Sequence, residues 1–226
     1  MKTRICVPVA AETAQEMIAS IEKAESLGVD LIEVRLDYLK VVGEVRRIAQ
    51  STPLPLIATN RKTDQGGRRP QDEESRIRSL LEAAENGFEF VDLELTTPNL
   101  QSVVEKVRSS GSEALISHHI FDRTPNQGEL EEIVGVMASR GANICKVVTM
   151  ATRVEDNLIC LGLLKNLSRK FRIVCFAMGE KGLLSRILSP LVGGYFTYAS
   201  IGEGFETAPG QISVQKLRMF YEVLGV

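Results

Sequence analysis

Short runs of apolar residues alternate along this chain with longer stretches in which apolar residues recur every three or four positions. The first pattern predicts buried β-strands and the second amphipathic helices. Strands are expected at Ile5–Ala10, Leu31–Asp37, Leu54–Thr59, Phe90–Leu95, Ala114–His119, Asn143–Val148, Arg172–Ala177 and Gly194–Ala199. The first intervening helix is expected over Thr13–Leu27, with Glu16 as capping-box partner of Thr13 and Gly28 as its stop. Further helices are expected at Val42–Gln50, Asp72–Glu85, from near Pro98 to just before Gly111, and at Gly128–Arg140, Glu155–Lys170, Lys181–Leu188 and Gln211–Leu224. Pro98 suits a first helical turn, where its missing N–H has no partner to lose. Eight strand–helix units imply an all-parallel sheet covered by helices, and the count of eight implies a closed (β/α)8 TIM barrel of the α/β class. No linker or composition shift divides the 226 residues, so 1–226 is expected to be a single domain. The rival, an open doubly wound sheet, often carries a glycine-rich loop after its first strand. Ala10-Ala11-Glu12-Thr13 stands there instead.

A barrel of this kind puts its chemistry at the C-terminal ends of the strands. Polar residues concentrate there: Glu33, Arg35 and Asp37; Asn60 and Arg61; Asp92 and Glu94; His118 and His119; Lys146; and Met178-Gly179-Glu180. Each has a bland explanation taken singly. Glu33 and Arg35, two apart on a strand, share a face and could simply pair. Lys146, inside Asn143-Ile144-Cys145-Lys146-Val147-Val148, could lie on a solvated edge strand. Together on one rim they read as an active site.

Composition changes this picture little. Hydrophobic content of 44%, charged content of 25% and a net charge of −2 describe an ordinary soluble globular protein, with no footprint for nucleic acid or a membrane surface. No apolar run approaches the roughly 18 residues of a membrane span. The start, Met1-Lys2-Thr3-Arg4-Ile5, enters an apolar strand without a signal-peptide core, so a cytoplasmic location is expected. Cys6, Cys145, Cys160 and Cys175 are scattered without a CxxC pair, which points to buried thiols and to no metal site.

A neutral lysine can form an imine with a ketone or aldehyde, and placement in an apolar strand favours the neutral form. The protonated imine is an electron sink, so the adjacent carbon becomes acidic and needs a general base. Histidine suits that task near neutral pH. The chain has two histidines, His118 and His119, side by side. Residues adjacent on a strand face opposite ways, so only one of them can share the side of Lys146, and spacing does not say which. His119 precedes Lys146 by 27 residues, about one repeat, which suggests adjacent strands and similar depth. Arg35, Arg61 and Arg186 could grip a carboxylate through their fork of donors.

Several stretches together resemble the type I 3-dehydroquinate dehydratase family. They are Glu33-Val34-Arg35-Leu36-Asp37; Arg61 with Gly66-Gly67; Val91-Asp92-Leu93-Glu94; the run from Ser117 to Pro125; Lys146; Ala177-Met178-Gly179 with Ser185-Arg186; and Ala208-Pro209-Gly210-Gln211. The resemblance covers nearly the whole chain. Its Ser-x-His-x-Phe-x-x-Thr-Pro signature selects His119 over His118. It implies dehydration of 3-dehydroquinate to 3-dehydroshikimate, the third step of the shikimate pathway, in a hydro-lyase that needs no metal or organic cofactor. Lys146 would form the Schiff base and His119 would act as base and acid. Glu33, Arg35 and Arg61 would contact substrate hydroxyls and the catalytic centre. Arg186 would hold the carboxylate, and Gln211 with Thr207 would sit on a lid whose ends are loosened by Gly202, Gly204 and Gly210. Relatives of this kind are commonly homodimers. One position departs from the pattern. Gln65 stands where many relatives have a glutamate that orients the histidine, and Asp64, Gln65 and Glu33 are the candidates for that third role. Two other readings exist. A class I aldolase would use the same imine to break a carbon–carbon bond, with a phosphate near Gly179 and Gly193-Gly194, but Arg186 and the His119 signature fit a carboxylate better. A catalytically silent metabolite-binding barrel would be expected to lack the lysine or the histidine.

Overall fold

The structure, a computed structural model, describes residues 3–41 and 43–226. Met1-Lys2, and Val42 with which the second helix was expected to begin, lie outside the described residues. The elements alternate in chain order as β1 (Ile5–Val9), α1 (Ala14–Ser26), β2 (Leu31–Arg35), α2 (Val45–Ala49), β3 (Leu56–Thr59), α3 (Glu73–Glu85), β4 (Phe90–Glu94) and α4 (Leu100–Ser109). They continue as β5 (Glu113–His119), α5 (Gln127–Ser139), β6 (Ile144–Met150), α6 (Asp156–Leu167), β7 (Ile173–Met178), α7 (Leu183–Leu188), β8 (Thr197–Tyr198) and α8 (Val214–Val223). All strand pairs are parallel, β1 to β7 each lie beside their sequence neighbours, and β8 pairs β1. The Tyr195 N–H donates to the Ile173 carbonyl at 2.8 Å, which draws the chain entering β8 against β7 and brings the ring to near closure. The molecule is therefore the expected (β/α)8 barrel. No helix among the described residues is long and apolar enough to cross a membrane.

Two apolar layers follow from the period-2 alternation of the strands. Outward residues such as Val7, Val34, Ala58, Val91, Ile116, Cys145 and Val147 pack against the helices. The helices meet them with single stripes: on α1 the buried residues are Ala14, Met17, Ile21 and Ala24, one face of a 3.6-residue period. Thr13 and Glu16 form the anticipated reciprocal cap at its start. Inward residues change character along each strand. The N-terminal halves contribute Leu31, Ile57, Phe90, Leu115, Ile144 and Val174, an apolar plug. Each such side chain, fully removed from water, is worth roughly 1.5–3 kcal/mol. One step further along, the inward positions are Glu33, Thr59, Asp92, Ser117 and Lys146, all buried and all polar. The plug thus forms the floor of a polar chamber that opens at the C-terminal ends of the strands.

The structure corrects several boundaries. β2 ends at Arg35 and not at Asp37, because the chain turns through a 3₁₀ segment, Leu36–Tyr38, that lets the Asp37 carboxylate clasp the Arg35 guanidinium. Pro98 lies outside α4; Asn99, at a left-handed φ of 51°, intervenes as its cap. Asparagine tolerates that conformation better than most residues. β8 is only two residues long, since Gly193, at φ 109°, and Gly194 complete a turn before the strand begins. A Cβ at position 194 would stand 2.7 Å from the Ser189 carbonyl oxygen, so this turn needs glycine.

Candidate active site

Lys146 is presented by the middle of β6 and points into the chamber. Its Nζ lies 3.0 Å from Asp92 Oδ2, 2.9 Å from Tyr198 Oη and 3.6 Å from Glu33 Oε1. It also sits 4.6 Å from the centre of the Tyr198 ring. The expected apolar surroundings are thus replaced by two carboxylates and a phenol. Flanking Cys145 and Val147 face the helix layer, as the alternation requires. Directly across the strand pair from Lys146 stands Ser117, whereas His119 pairs with Val148. His119 is therefore one inward position nearer the mouth than Lys146, a departure from the similar depth expected of the two. Loop lengths differ between units, so a 27-residue separation does not fix register.

A buried chain of alternating charge supports the lysine. Arg61 donates to Asp92, to Ser117 Oγ at 2.6 Å and to Glu94 at 3.2 Å. Arg76 on α3 donates to the other oxygen of Glu94 at 2.6 Å and also pairs with Glu73. The run Arg76–Glu94–Arg61–Asp92–Lys146 therefore reaches from a helix to the centre of the barrel. Breaking such a buried chain at one partner costs about 3–5 kcal/mol, so it behaves as a rigid frame. Burial alone would raise the Asp92 carboxyl, but Arg61 and Lys146 outweigh it and hold Asp92 far below the usual carboxylate range. Arg76 was not anticipated. Its signal was visible, because it falls on the buried stripe of α3 with Ser79, Leu80 and Ala83, where an arginine must have a buried partner.

One cavity of about 140 Å³ gathers most of the anticipated residues: Glu33, Arg35, Arg61, Gln65, His119, Lys146, Arg186, Thr207 and Gln211 all line it. Its apolar walls are Phe121, Val148, Phe176 and Met178, joined by Tyr198. A wider groove of about 680 Å³ runs outside the barrel along α4, but no lysine, histidine or cysteine lines it. Within the cavity, Glu33 takes a hydrogen bond from Thr59 at 2.6 Å and has no ion pair with Arg35. Arg35 is committed to Asp37 at 2.8 and 2.7 Å and reaches the Gly66 carbonyl at 3.2 Å.

Of the two histidines, His119 is the one that lines the cavity. Its ring lies parallel to Phe121, 6.0 Å between centres. Its Nδ1 is buried and has no hydrogen-bond partner among the described residues. Burial above all, helped by the charges of Arg61 and Lys146, holds its pKa well below the ordinary imidazole value. Gln65 does not hydrogen-bond the ring Nδ1; its Oε1 accepts the His119 backbone N–H at 3.0 Å. Asp64 sits exposed on the 3₁₀ turn Thr63–Gln65 and does not line the cavity.

Arg186 on α7 is buried and differs from the other cavity arginines. No carboxylate pairs with it among the described residues. Its Nε has no hydrogen-bond partner among the described residues, its Nη2 makes one long bond of 3.4 Å to the Pro209 carbonyl, and its guanidinium lies 4.4 Å from the Phe176 ring centre. Burial lowers its pKa to about 10, which still leaves it charged at neutral pH. The loop that carries Pro209 passes against it. Gly210, at φ 75°, is needed for close approach and not for looseness: a Cβ there would stand 2.4 Å from the Gly179 carbonyl oxygen. Gln211 turns back to accept the Thr207 N–H at 2.8 Å.

Tyr198 was not singled out by the sequence. It could have been: one position before the end of the anticipated eighth strand, it shares the inward parity of Phe196. The chemistry this arrangement permits is amine attack on a carbonyl beside a neutral imidazole, with one unpaired cation left for an anionic substrate group.

Comparison with known proteins bears on which substrate that is. The sequence pattern of "Type I 3-dehydroquinase" matches residues 5–226. The 3-dehydroquinate dehydratase of Dehalococcoides mccartyi is 40% identical over 210 residues, covering 91% of this chain and 92% of that protein. That of Methanothermobacter thermautotrophicus is 38% identical over 220 residues, 96% of each. Among solved structures, the 3-dehydroquinate dehydratase of Geobacillus kaustophilus superposes with a TM-score of 0.90 at 26% identity, covering 100% of this chain and 92% of that one.

Proposed function

The chain belongs to the type I 3-dehydroquinase family, and from that premise we propose that it dehydrates 3-dehydroquinate to 3-dehydroshikimate through an imine on Lys146. The observation that carries the proposal is one buried cavity with a lysine amine, an imidazole held neutral and a charged arginine lacking a carboxylate. Lys146 Nζ adds to the C3 ketone and water leaves, giving the protonated imine. His119 takes a proton from C2, and the electron pair moves into the C2–C3 bond to form an enamine. The enamine expels the C1 hydroxyl, which accepts a proton from His119 and departs as water. Hydrolysis of the conjugated imine frees the enone and the lysine. The imine nitrogen is the electron sink throughout, and the imidazole serves first as base and then as acid.

Borohydride added with 3-dehydroquinate should fix a substrate-derived mass on the peptide that contains Lys146, while the enone absorbance stops rising. Turnover that continues with no adduct on that peptide would refute the imine.

Arg186 is assigned to the substrate carboxylate. Its replacement by glutamine should raise KM for 3-dehydroquinate by roughly 10- to 100-fold, the loss of one charge-assisted hydrogen bond of about 1.5–3 kcal/mol. Because burial already disfavours the Arg186 charge, Arg186→Gln should melt no lower than wild type. Steady-state kinetics beside a thermal melt check both halves; an unchanged KM removes Arg186 from substrate binding.

A further inference from the structure

Lys146 Nζ has three polar neighbours, and each bears differently on the proton that the nitrogen must give up once it has attacked a ketone. Asp92 is locked by Arg61 and by the Ser117 hydroxyl, and those partners make it a poor proton acceptor. Glu33 is 3.6 Å away and already takes the Thr59 hydroxyl at 2.6 Å. His119 stands one inward position nearer the mouth, where it is suited to C2. Tyr198 remains, with its oxygen 2.9 Å from Nζ. A phenol hydroxyl can accept one proton and donate another in the same event.

We propose that Tyr198 is a catalytic residue whose hydroxyl carries the proton from Lys146 Nζ to the substrate's carbonyl oxygen as the carbinolamine forms. This inference rests on the imine reading above. The step balances as follows. The Nζ lone pair forms the bond to the carbonyl carbon, and the carbonyl π pair moves onto oxygen. One proton passes from the now cationic nitrogen to Tyr198 Oη, and the original Oη proton passes to the alkoxide. A neutral carbinolamine and an intact phenol result.

The surroundings of Tyr198 suit a shuttle better than a free acid. The residue is 3% exposed. Burial, with Glu33, Cys6 and Asp92 nearby, pushes its pKa well above the ordinary phenol value. A buried phenolate is thus opposed, whereas a relay that takes a proton as it gives one never forms it. The ring is held edge-on by Phe176 and Phe196, with centres 6.0 and 5.4 Å away. The hydroxyl is therefore aimed at Nζ by packing, and a phenylalanine would fill the same space.

Tyr198→Phe in the full chain tests this. Wild type and variant are mixed with 3-dehydroquinate and borohydride under single-turnover conditions, and the adduct on the Lys146 peptide is followed by mass against time. Loss of a general acid–base partner typically costs on the order of 10²-fold or more. Adduct formation in Tyr198→Phe should slow by about that factor, reach the same mass, and set kcat, while the melting temperature holds. A solvent-deuterium effect on trapping should appear in wild type and vanish in the variant. The wild-type measurement stands even if the variant misfolds: trapping with no solvent-deuterium effect would overturn the shuttle. So would adduct formation in Tyr198→Phe as fast as in wild type, or a lower kcat with unchanged trapping. Wild-type enzyme that turns over with no adduct would instead remove the imine itself, and the shuttle with it.

Discussion

Lys146→Ala should lower kcat by on the order of 10⁴-fold or more, the scale seen when a covalent nucleophile is deleted. The expected cause is loss of the imine, but the lysine is also a cation beside Asp92 and Glu33, so a purely electrostatic role has to be separated from it. Alanine removes both functions. It does not leave Asp92 bare, because Arg61 and the Ser117 hydroxyl still hold that carboxylate. The melting temperature should therefore fall by less than for a buried charge left wholly unpaired, whose cost is about 3–5 kcal/mol. Lys146→Arg is the sharper variant. A guanidinium keeps the positive charge among the same carboxylates yet stays protonated and cannot add to a ketone. It should be as inactive as alanine and give no borohydride adduct, with a circular-dichroism spectrum like that of wild type. An arginine variant that kept activity within about tenfold, a loss of only about 1.4 kcal/mol, would mean the charge matters and the covalent bond does not.

How much of this was legible beforehand depends on which periodicity a feature obeys. The eight units and the inward face of β6 follow from local alternation, and Cys145 and Val147 do face the helices on either side of Lys146. The gathering of Glu33, Arg61, His119 and Lys146 at one mouth follows from parallel topology, which points every strand end the same way. Depth within the barrel did not follow, because it depends on loop length and on strand stagger. Glu33 pairs with Ile57 while Thr59 pairs with Asp92, so the offset between partners changes from one strand pair to the next. Boundaries shifted where a side chain outcompeted the backbone pattern, as when Asp37 turned the chain to reach Arg35. The supporting charges Arg76 and Glu94 were readable as types but not as a connected chain, since their partners are distant in sequence. The role expected of position 65 also depended on tertiary detail: Gln65 steadies the backbone of His119 and leaves the ring's Nδ1 without a hydrogen-bond partner among the described residues.

That unpartnered ring makes the pH dependence of the reaction informative. His119→Ala should lower kcat by on the order of 10²–10⁴-fold, the usual worth of a positioned base, while borohydride still traps substrate on Lys146. His118, outside the cavity lining, should tolerate alanine with near wild-type rates. Equal losses at both positions would mean that parity does not choose the base. The pH profile adds a second check with a definite sign. On the proposed mechanism the base must be neutral to take the C2 proton, so kcat/KM should fall on the acid side as His119 becomes protonated in the free enzyme. An ordinary histidine would put that limb near pH 6.5. In His119 the imidazolium is opposed first by burial and then by Arg61 and Lys146, with Asp92 pulling only weakly the other way. The neutral form therefore persists to lower pH, and the acid limb should lie below the ordinary imidazole range. The limb should move up if the opposing charge is removed. Lys146 and Arg61 cannot be removed without disabling the site, so the free enzyme is the state to measure. Titration of His119 by NMR in the free enzyme would follow this directly. A value in the free enzyme at or above 6.5 would contradict the buried, unpartnered ring and would call for a carboxylate beside it.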